Sequence, residues 1–247
     1  MTTTFIKPEQ IPIYDLCVHI TSAFEGTTYS KVTGNFDGQG ISVGLLQWNL
    51  GQRTLQDFIL NHVDIMAYDY FPLPISNLHR LHPKDAVNWC KDIMLDADGD
   101  LLPEWRSAWE RFISEPSVIN TQKRAIDKYF HQAKRVCGAL GFNHEHRRAM
   151  AFAFDIAVQN WSLNVELPDA SVQQAENIIT LYGADNAALW LMEPMSLEKA
   201  RLVTAAHYKA LTVNPKWRTD VFTRKCTIAM GIGKVHGKVY KLNKLLD

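Results

Sequence analysis

Apolar side chains near the N-terminus recur at intervals of three and four residues, at Ile13, Leu16, Cys17, Ile20 and Phe24. This spacing places them on one face of a helix. Proline favours the first turn of a helix and glycine favours its end, so Pro12 and Gly26 mark the two boundaries. We therefore predict a helix over about 12–24 with one buried face.

The pattern changes over residues 26–49, where isolated apolar residues are interleaved with the glycines Gly26, Gly34, Gly38, Gly40 and Gly44. Glycine supplies the positive φ angles of tight turns, and short alternating apolar residues are typical of strands. We predict a small β-hairpin or meander in this segment. A helix is then expected over residues 45–60.

Beyond a loop rich in aromatics and prolines at residues 68–78, the spacing is almost entirely helical. Helices are predicted over about 83–95, 103–114, 118–140, 144–161, 170–181, 185–192, 196–211 and 217–230. Residues 147–162 are apolar almost all round, which is typical of a central buried helix. No linker divides the chain. The predicted fold class is mainly α (α+β), as a single domain 1–247 with a small β lobe at about 26–50 and a helical lobe for the rest.

Composition narrows the classes of function. Hydrophobic residues make up 47% and charged residues 21%, as in folded globular proteins. The 26 basic and 26 acidic side chains cancel, so no global field favours nucleic acid. No apolar run is long enough to insert in a membrane. The scattered cysteines Cys17, Cys90, Cys137 and Cys226 are expected to be free buried thiols.

Two acidic or histidine-rich motifs resemble metal sites at first sight. The segment 96–100 has its glycine two positions too early for a calcium-binding EF-hand loop, so a polar turn is expected. His144 and His146 flank Glu145, whereas a zinc-binding helix needs its histidines four residues apart. Asn143 is expected to cap the following helix. No metal and no cofactor are predicted.

Two carboxyl groups lie where chemistry is expected. Glu25 follows Phe24 at the end of the first predicted helix, and this apolar setting favours a protonated general acid. Asp37 lies twelve positions later between glycines, in a wet polar loop. A carboxyl pair with such different settings is what glycosidases use. A plain alternative remains, in which Glu25 is a surface residue at a helix end and Asp37 a turn residue.

The residues around this pair resemble the active-site segment of the lysozyme-like superfamily, and in particular the chitosanases of glycoside hydrolase family 46. The similar run is Asp37-Gly-Gln-Gly-Ile-Ser-Val-Gly44, downstream of a helix-terminal glutamate. The resemblance implies that Glu25 is the general acid, that Asp37 activates water and that Ser42 helps to hold that water. Gln39 replaces the family's arginine, which weakens the chitosan assignment more than it weakens the superfamily. Gln39 is assigned to substrate binding.

A second resemblance concerns Gly44-Leu-Leu-Gln-Trp-Asn49, which is similar to a Gly-Leu-Met-Gln segment of lytic transglycosylases and goose-type lysozymes. It implies that Gln47 and Asn49 bind the N-acetyl groups of a glycan and that Trp48 stacks on a sugar. An equally weighted alternative makes Trp48 a core aromatic. Because lytic transglycosylases work with the glutamate alone, Asp37 favours hydrolysis.

Polar residues on the central helix are further candidates. Asp155 and Gln159 are four positions apart and share a face, and Asn160 follows. A buried carboxylate needs a partner, so Asp155 either pairs with a basic side chain to support the site or contacts substrate with Gln159 and Asn160. The basic, glycine-rich run at 231–241 is either a lip of the cleft or a solvated tail.

The resemblance implies a lysozyme (N-acetylmuramidase) that cleaves the β-1,4 bond between N-acetylmuramic acid and N-acetylglucosamine in bacterial peptidoglycan. The alternatives are a chitosanase, a lytic transglycosylase, a non-catalytic glycan-binding module and a phage structural protein. The N-terminal residues lack the basic-then-apolar pattern of a secretory signal. We therefore expect synthesis in the cytoplasm and action in the bacterial periplasm or cell wall. Delivery is expected through phage lysis or a secretion system, the latter with a cognate immunity protein.

Overall fold

A computed structural model describes residues 11–26, 28–35, 37–62, 70–75 and 77–247. The chain forms two compact units: a helical unit of residues 1–25 and 127–247, and a β-containing unit of residues 26–126. The single-domain organisation expected from the sequence stays a prediction. Part of the predicted loop 68–78, namely residues 68, 69 and 76, lies outside the described residues.

The β-containing unit has a three-stranded antiparallel sheet, β1 (Val32–Thr33), β2 (Ser42–Val43) and β3 (Trp48–Asn49), in that order. Ser42 pairs with Thr33 on one side and with Asn49 on the other. The helices that follow are α2 (Thr54–Leu60), α3 (Pro83–Ile93) and α4 (Pro103–Ile113), with a 3₁₀ turn at Leu78–Arg80. Their apolar faces form one core with the sheet, around Trp105, Trp109 and Phe112.

The prediction of a helix from residue 45 is wrong. Residues 48 and 49 form β3, and α2 begins only at Thr54. Gln47 and Arg53 have φ angles of 52° and 64°, which a right-handed helix does not accommodate. Gly44 also has a positive φ, and a Cβ there would lie 2.5 Å from Oε1 of Gln122, so only glycine fits this turn.

The helical unit begins with α1 (Ile13–Glu25). The division between the two units, at residues 126 and 127, falls within the long helix α5 (Pro116–Ala139). The remaining elements are α6 (Arg147–Asn160), α7 (Val172–Thr180), α8 (Ala184–Leu191), α9 (Leu197–Leu211), a 3₁₀ turn (Pro215–Trp217), α10 (Arg218–Met230), the hairpin β4 (Ile232–Val235) and β5 (Lys238–Lys241), and α11 (Asn243–Leu246). A mainly helical fold with a small antiparallel sheet near the N-terminus is confirmed.

Two buried helices form the centre of the helical unit. Every residue of α6 from Arg148 to Ala157 is buried, as predicted for a central helix. The same holds for α10 from Val221 to Met230, although its sequence contains an arginine and a lysine. α6 packs against α1 and α10, and α10 also packs against α9 and β4. The side chain of His146, rather than Asn143, caps α6 by accepting the amide N–H of Ala149.

The segment 96–100 is a polar turn, as predicted. Oδ1 of Asp96 accepts the amide N–H groups of Asp98 and Asp100. Among the described residues, no group of three or more histidine, cysteine or acidic side chains is arranged to hold a metal ion. In the same part of the chain, no helix has the length and apolar character needed to cross a bilayer.

All four cysteines are free and buried, and burial raises the pKa of each thiol. Burial raises the pKa of Cys90 to about 12 from 9.0 and that of Cys137 to about 11. The pKa values of Cys17 and Cys226 are also raised by burial. A thiol with a raised folded-state pKa contributes its full stability below pH 9.0, and this stability is lost as the pH rises towards the folded-state value.

We expect the unfolding free energy of the wild type to fall by about 2 kcal/mol more than that of Cys90→Ala between pH 8 and pH 10.5. The measurement is urea unfolding at each pH with a reducing agent present. Burial lowers the pKa values of Lys199 and Lys209, but both proteins share this contribution, so the difference isolates the thiol. Equal losses in the two proteins would mean that Cys90 ionises as readily as an exposed thiol.

Candidate functional site

Glu25 is the last residue of α1, and about a third of its side chain is exposed (34%). Nη1 of Arg224, from the middle of α10, donates a hydrogen bond to Oε1 of Glu25. The guanidinium itself is almost fully buried. Glu25 is therefore a partly exposed carboxylate held by a buried cation, whereas the sequence placed it in an apolar setting beside Phe24.

Arg224 links Glu25 to a buried network. Its Nη2 donates to Oδ1 of Asp155 at 2.7 Å, and Nζ of Lys225 donates to Oδ2 of the same carboxylate at 3.1 Å. Lys225 also donates to Oε1 of Gln159 at 2.7 Å. Asp155 and Lys225 are completely buried. The network contains two carboxylates and two cations, so its formal charge is balanced.

The pKa shifts follow from burial and pairing. Burial alone would raise the pKa of Asp155, but Arg224 and Lys225 hold it below its ordinary value. Burial would likewise lower the pKa of Arg224, yet Asp155 and Glu25 raise it. Burial lowers the pKa of Lys225 despite the contact with Asp155. Asp155 therefore remains an anion that fixes Arg224, and Arg224 in turn fixes Glu25.

The C-terminal hairpin holds the end of α1. The hydroxyl of Tyr240 donates to the carbonyl of Ala23 at 2.8 Å, and Nδ1 of His236 lies 3.2 Å from the carbonyl oxygen of Phe24. Nε2 of His236 lies 2.7 Å from Oδ1 of Asp220. These carbonyls belong to the last turn of a helix, where no intrahelical donor remains. The hairpin thus fixes the backbone that carries Glu25.

Asp37 lies in the loop between β1 and β2 of the β-containing unit. Its side chain is exposed, and Oδ1 accepts the amide N–H of Gln39 at 3.0 Å. Oδ1 of Asn35 accepts the amide N–H of Gly40 at 2.7 Å, which closes the loop around Asp37. The loop is therefore ordered by its own side chains, and Asp37 faces solvent.

The other predicted residues of this unit are held by local contacts. Gln47 donates to the carbonyl of Gly44 and accepts from Thr33, and Asn49 bonds to Gln52. Trp48 is partly buried and stacks on Phe58, with ring centroids 4.8 Å apart, so it packs against the core. Ser42 is buried in β2. The roles of these residues, and of Gln39, in substrate binding or catalysis stay predictions.

The structure brings Glu25, Asp155 and Gln159 into one network and places Asn160 at the end of the same helix. Arg224 and Lys225, which complete the network, were not predicted from the sequence. Adjacent charged residues are typical of a solvated helix face, and their acidic partner lies about 70 positions earlier. Most of the other buried residues of α10 are apolar, which signals a buried helix but does not identify the partner of its two cations.

Comparisons with known proteins add one finding. No protein family and no curated protein matches the chain. Among solved structures, the chain is similar to a mutant chitosanase from Bacillus subtilis MY002 complexed with 6 GlcN, with a TM-score of 0.49 and 12% identity, covering 94% of this chain and 97% of that chain. Because the TM-score is below 0.5, neither fold nor activity is assigned from this similarity.

Proposed function

We propose that the protein is a glycoside hydrolase of the lysozyme-like superfamily that cleaves the β-1,4 bond between N-acetylmuramic acid and N-acetylglucosamine in peptidoglycan. One observation carries the proposal. In a segment whose sequence resembles a glycosidase active site, Glu25 is a partly exposed carboxyl held by Arg224, which is buried and also paired with the buried Asp155. Arginine is almost never fully buried unless it is paired, so a buried arginine that reaches a partly exposed carboxyl distinguishes Glu25 from an ordinary surface glutamate.

Glu25 is proposed to take up a proton from solvent before each turnover and to donate it to the leaving glycosidic oxygen. Once the proton has left, Arg224 stabilises the carboxylate that remains, and Asp155 keeps Arg224 charged and oriented. A cation that is already in place needs no reorganisation when the charge forms, which is how preorganised electrostatics lowers a barrier. Helix α1 and the hairpin contacts to Ala23 and Phe24 supply the rigid backbone.

Asp37 is proposed to activate the attacking water or to stabilise the oxocarbenium-like transition state. One of its carboxylate oxygens holds the loop through Gln39, and the carboxylate is exposed to solvent. The pairing of Asp37 with Glu25 comes from the sequence resemblance alone. The same resemblance supports Ser42 as a residue that holds this water.

The C-terminal hairpin supports peptidoglycan over chitosan as the substrate. Lys234, Lys238 and Lys241 are exposed on the hairpin whose other residues contact the end of α1. These cations repel the ammonium groups of chitosan, whereas the N-acetylated sugars of peptidoglycan are uncharged and its stem peptides carry carboxylates that the lysines attract. Action in the cell wall after delivery by a phage or a secretion system, with an immunity protein in the second case, is part of the proposal.

The test is mass spectrometry of purified peptidoglycan after digestion by the wild type and by Asp37→Asn, followed by borohydride reduction. Products that end in reduced muramic acid are expected from the wild type only. Anhydromuramic ends from both proteins would indicate a transglycosylase that does not need Asp37. Soluble products from chitosan but not from peptidoglycan would indicate a chitosanase. No product from either polymer would contradict the proposed hydrolase.

A further inference from the structure

Trp161 ends helix α6 in a conformation that an aromatic residue rarely adopts. Its φ is 63°, and its amide N–H still bonds to the carbonyl of Ala157 at 3.1 Å. Helices commonly end on a glycine at a positive φ, because a side chain there costs free energy. Trp161 is nevertheless half exposed (50%), so burial of the residue offsets only part of this cost.

A second local cost lies at the same helix end. Oδ1 of Asn160 is buried and accepts no hydrogen bond within the described residues. Unpaired buried polar atoms and strained backbone both cost free energy, and such costs are concentrated at ligand-binding and catalytic sites. The two costs fall on the adjacent residues Asn160 and Trp161, and together with the exposure of Trp161 they point to a role in binding.

The ring of Trp161 is held in a defined orientation. It packs perpendicular to the ring of Tyr129 in α5, with centroids 5.8 Å apart. Nζ of Lys128 lies 5.1 Å from the centre of the Tyr129 ring. A rigid, half-exposed indole offers a large apolar surface at a small entropic cost.

Trp161 lies at the same end of the helical unit as Glu25. Two contacts indicate that helices α1 and α6 run parallel. Arg147 at the start of α6 donates to the carbonyl of Ile11, just before α1, at 2.8 Å. Farther along the two helices, Glu25 and Asp155 share Arg224. Trp161 follows Asp155 by six residues, which corresponds to about 9 Å along the helix axis. Trp161 therefore lies less than two helical turns beyond the residue that shares Arg224 with Glu25.

We propose that Trp161 is the stacking platform of a sugar-binding subsite next to Glu25. The indole would pack against the apolar face of one N-acetylated sugar ring of the glycan strand. Gln159, whose Oε1 is held by Lys225, would offer its amide N–H groups to the same sugar. Ligand sites commonly combine an apolar aromatic surface with a few fixed polar groups. This inference rests on the proposed function.

The test compares the steady-state kinetics of Trp161→Leu, Trp161→Phe and Trp161→Gly with the wild type on soluble, uncrosslinked peptidoglycan strands. Trp161→Leu is expected to raise KM about tenfold, because removing a tryptophan anchor typically costs more than 1 kcal/mol of binding. Its kcat should stay within roughly a factor of two, since the chemistry at Glu25 is unchanged. Trp161→Phe retains a flat ring and should recover most of the affinity.

Trp161→Gly separates binding from folding. Glycine adopts the positive φ without strain, so this variant should unfold at a temperature equal to or above that of the wild type while its KM rises. Trp217→Leu is the matched control, because Trp217 is similarly exposed (54%), and its KM should not change. If the three Trp161 variants keep the wild-type KM, or lose activity only through unfolding, the subsite does not exist, and the digestion of peptidoglycan described above decides separately whether the protein is a hydrolase. If the wild type cleaves no glycan, the proposed function itself fails.

Discussion

Replacing Glu25 with glutamine is expected to lower kcat on peptidoglycan by about 10²–10⁴-fold, the contribution typical of a general acid. Glutamine keeps the shape of the side chain but has no proton to donate to the leaving oxygen. It also removes the negative charge that Arg224 contacts. The measurement is the initial rate of release of reducing ends, with the wild type and the variant at equal concentration.

The fold should survive this substitution. The side chain of Glu25 is a third exposed, so its ion pair with Arg224 is screened by solvent and contributes little to stability. The matched control is Glu145→Gln, because Glu145 is exposed and precedes the start of α6, at the opposite end of the helix pair. An unchanged rate for Glu25→Gln would favour a non-catalytic glycan-binding module.

The central helix shows what the sequence could predict. Residues 147–160 are apolar almost all round, and such a pattern has one stable placement, inside the protein. The glycine-rich segment 26–49 was also predicted as a small β structure, because glycine spacing determines where the chain turns. The central helix and the small sheet could be predicted because local patterns of apolar residues and glycines in the sequence determine them.

The charge network around Glu25 could not be predicted from such local patterns. Whether Arg224 and Lys225 are buried depends on Asp155, which lies on another helix, and no local pattern encodes that pairing. The C-terminal hairpin was missed for a similar reason. Its short strands carry lysines on the exposed side, and its position is fixed by contacts from Tyr240 and His236 to carbonyls of α1 that lie more than two hundred residues earlier.

The helix predicted from residue 45 failed for a different physical reason. The side chains at 46–48 are compatible with a helix. The backbone is not, because Gly44 and Gln47 both have a positive φ. Pairing of Trp48 with Val43 gains sheet hydrogen bonds and a stacking contact with Phe58. Tertiary contacts therefore outweigh local helix propensity in this segment.

Replacing Asp155 with alanine is expected to cost about 3–5 kcal/mol of unfolding free energy, the loss typical when one partner of a buried ion pair is removed. Asp155 and Lys225 are completely buried and Arg224 is nearly so. Without the carboxylate, two cations remain side by side with almost no access to water. The measurement is urea unfolding followed by circular dichroism at neutral pH, with Asp169→Ala, at an exposed position, as the control.

A double variant distinguishes a charge effect from a packing effect. Asp155→Ala combined with Lys225→Met removes one charge of each sign and leaves Arg224 paired with Glu25. We expect the double variant to be more stable than the sum of the two single changes predicts, with a coupling free energy of about 0.5–3 kcal/mol. Additive losses would mean that Asp155 and Lys225 are not coupled, and the cost of Asp155→Ala would then come from lost packing and from the lost contact with Arg224.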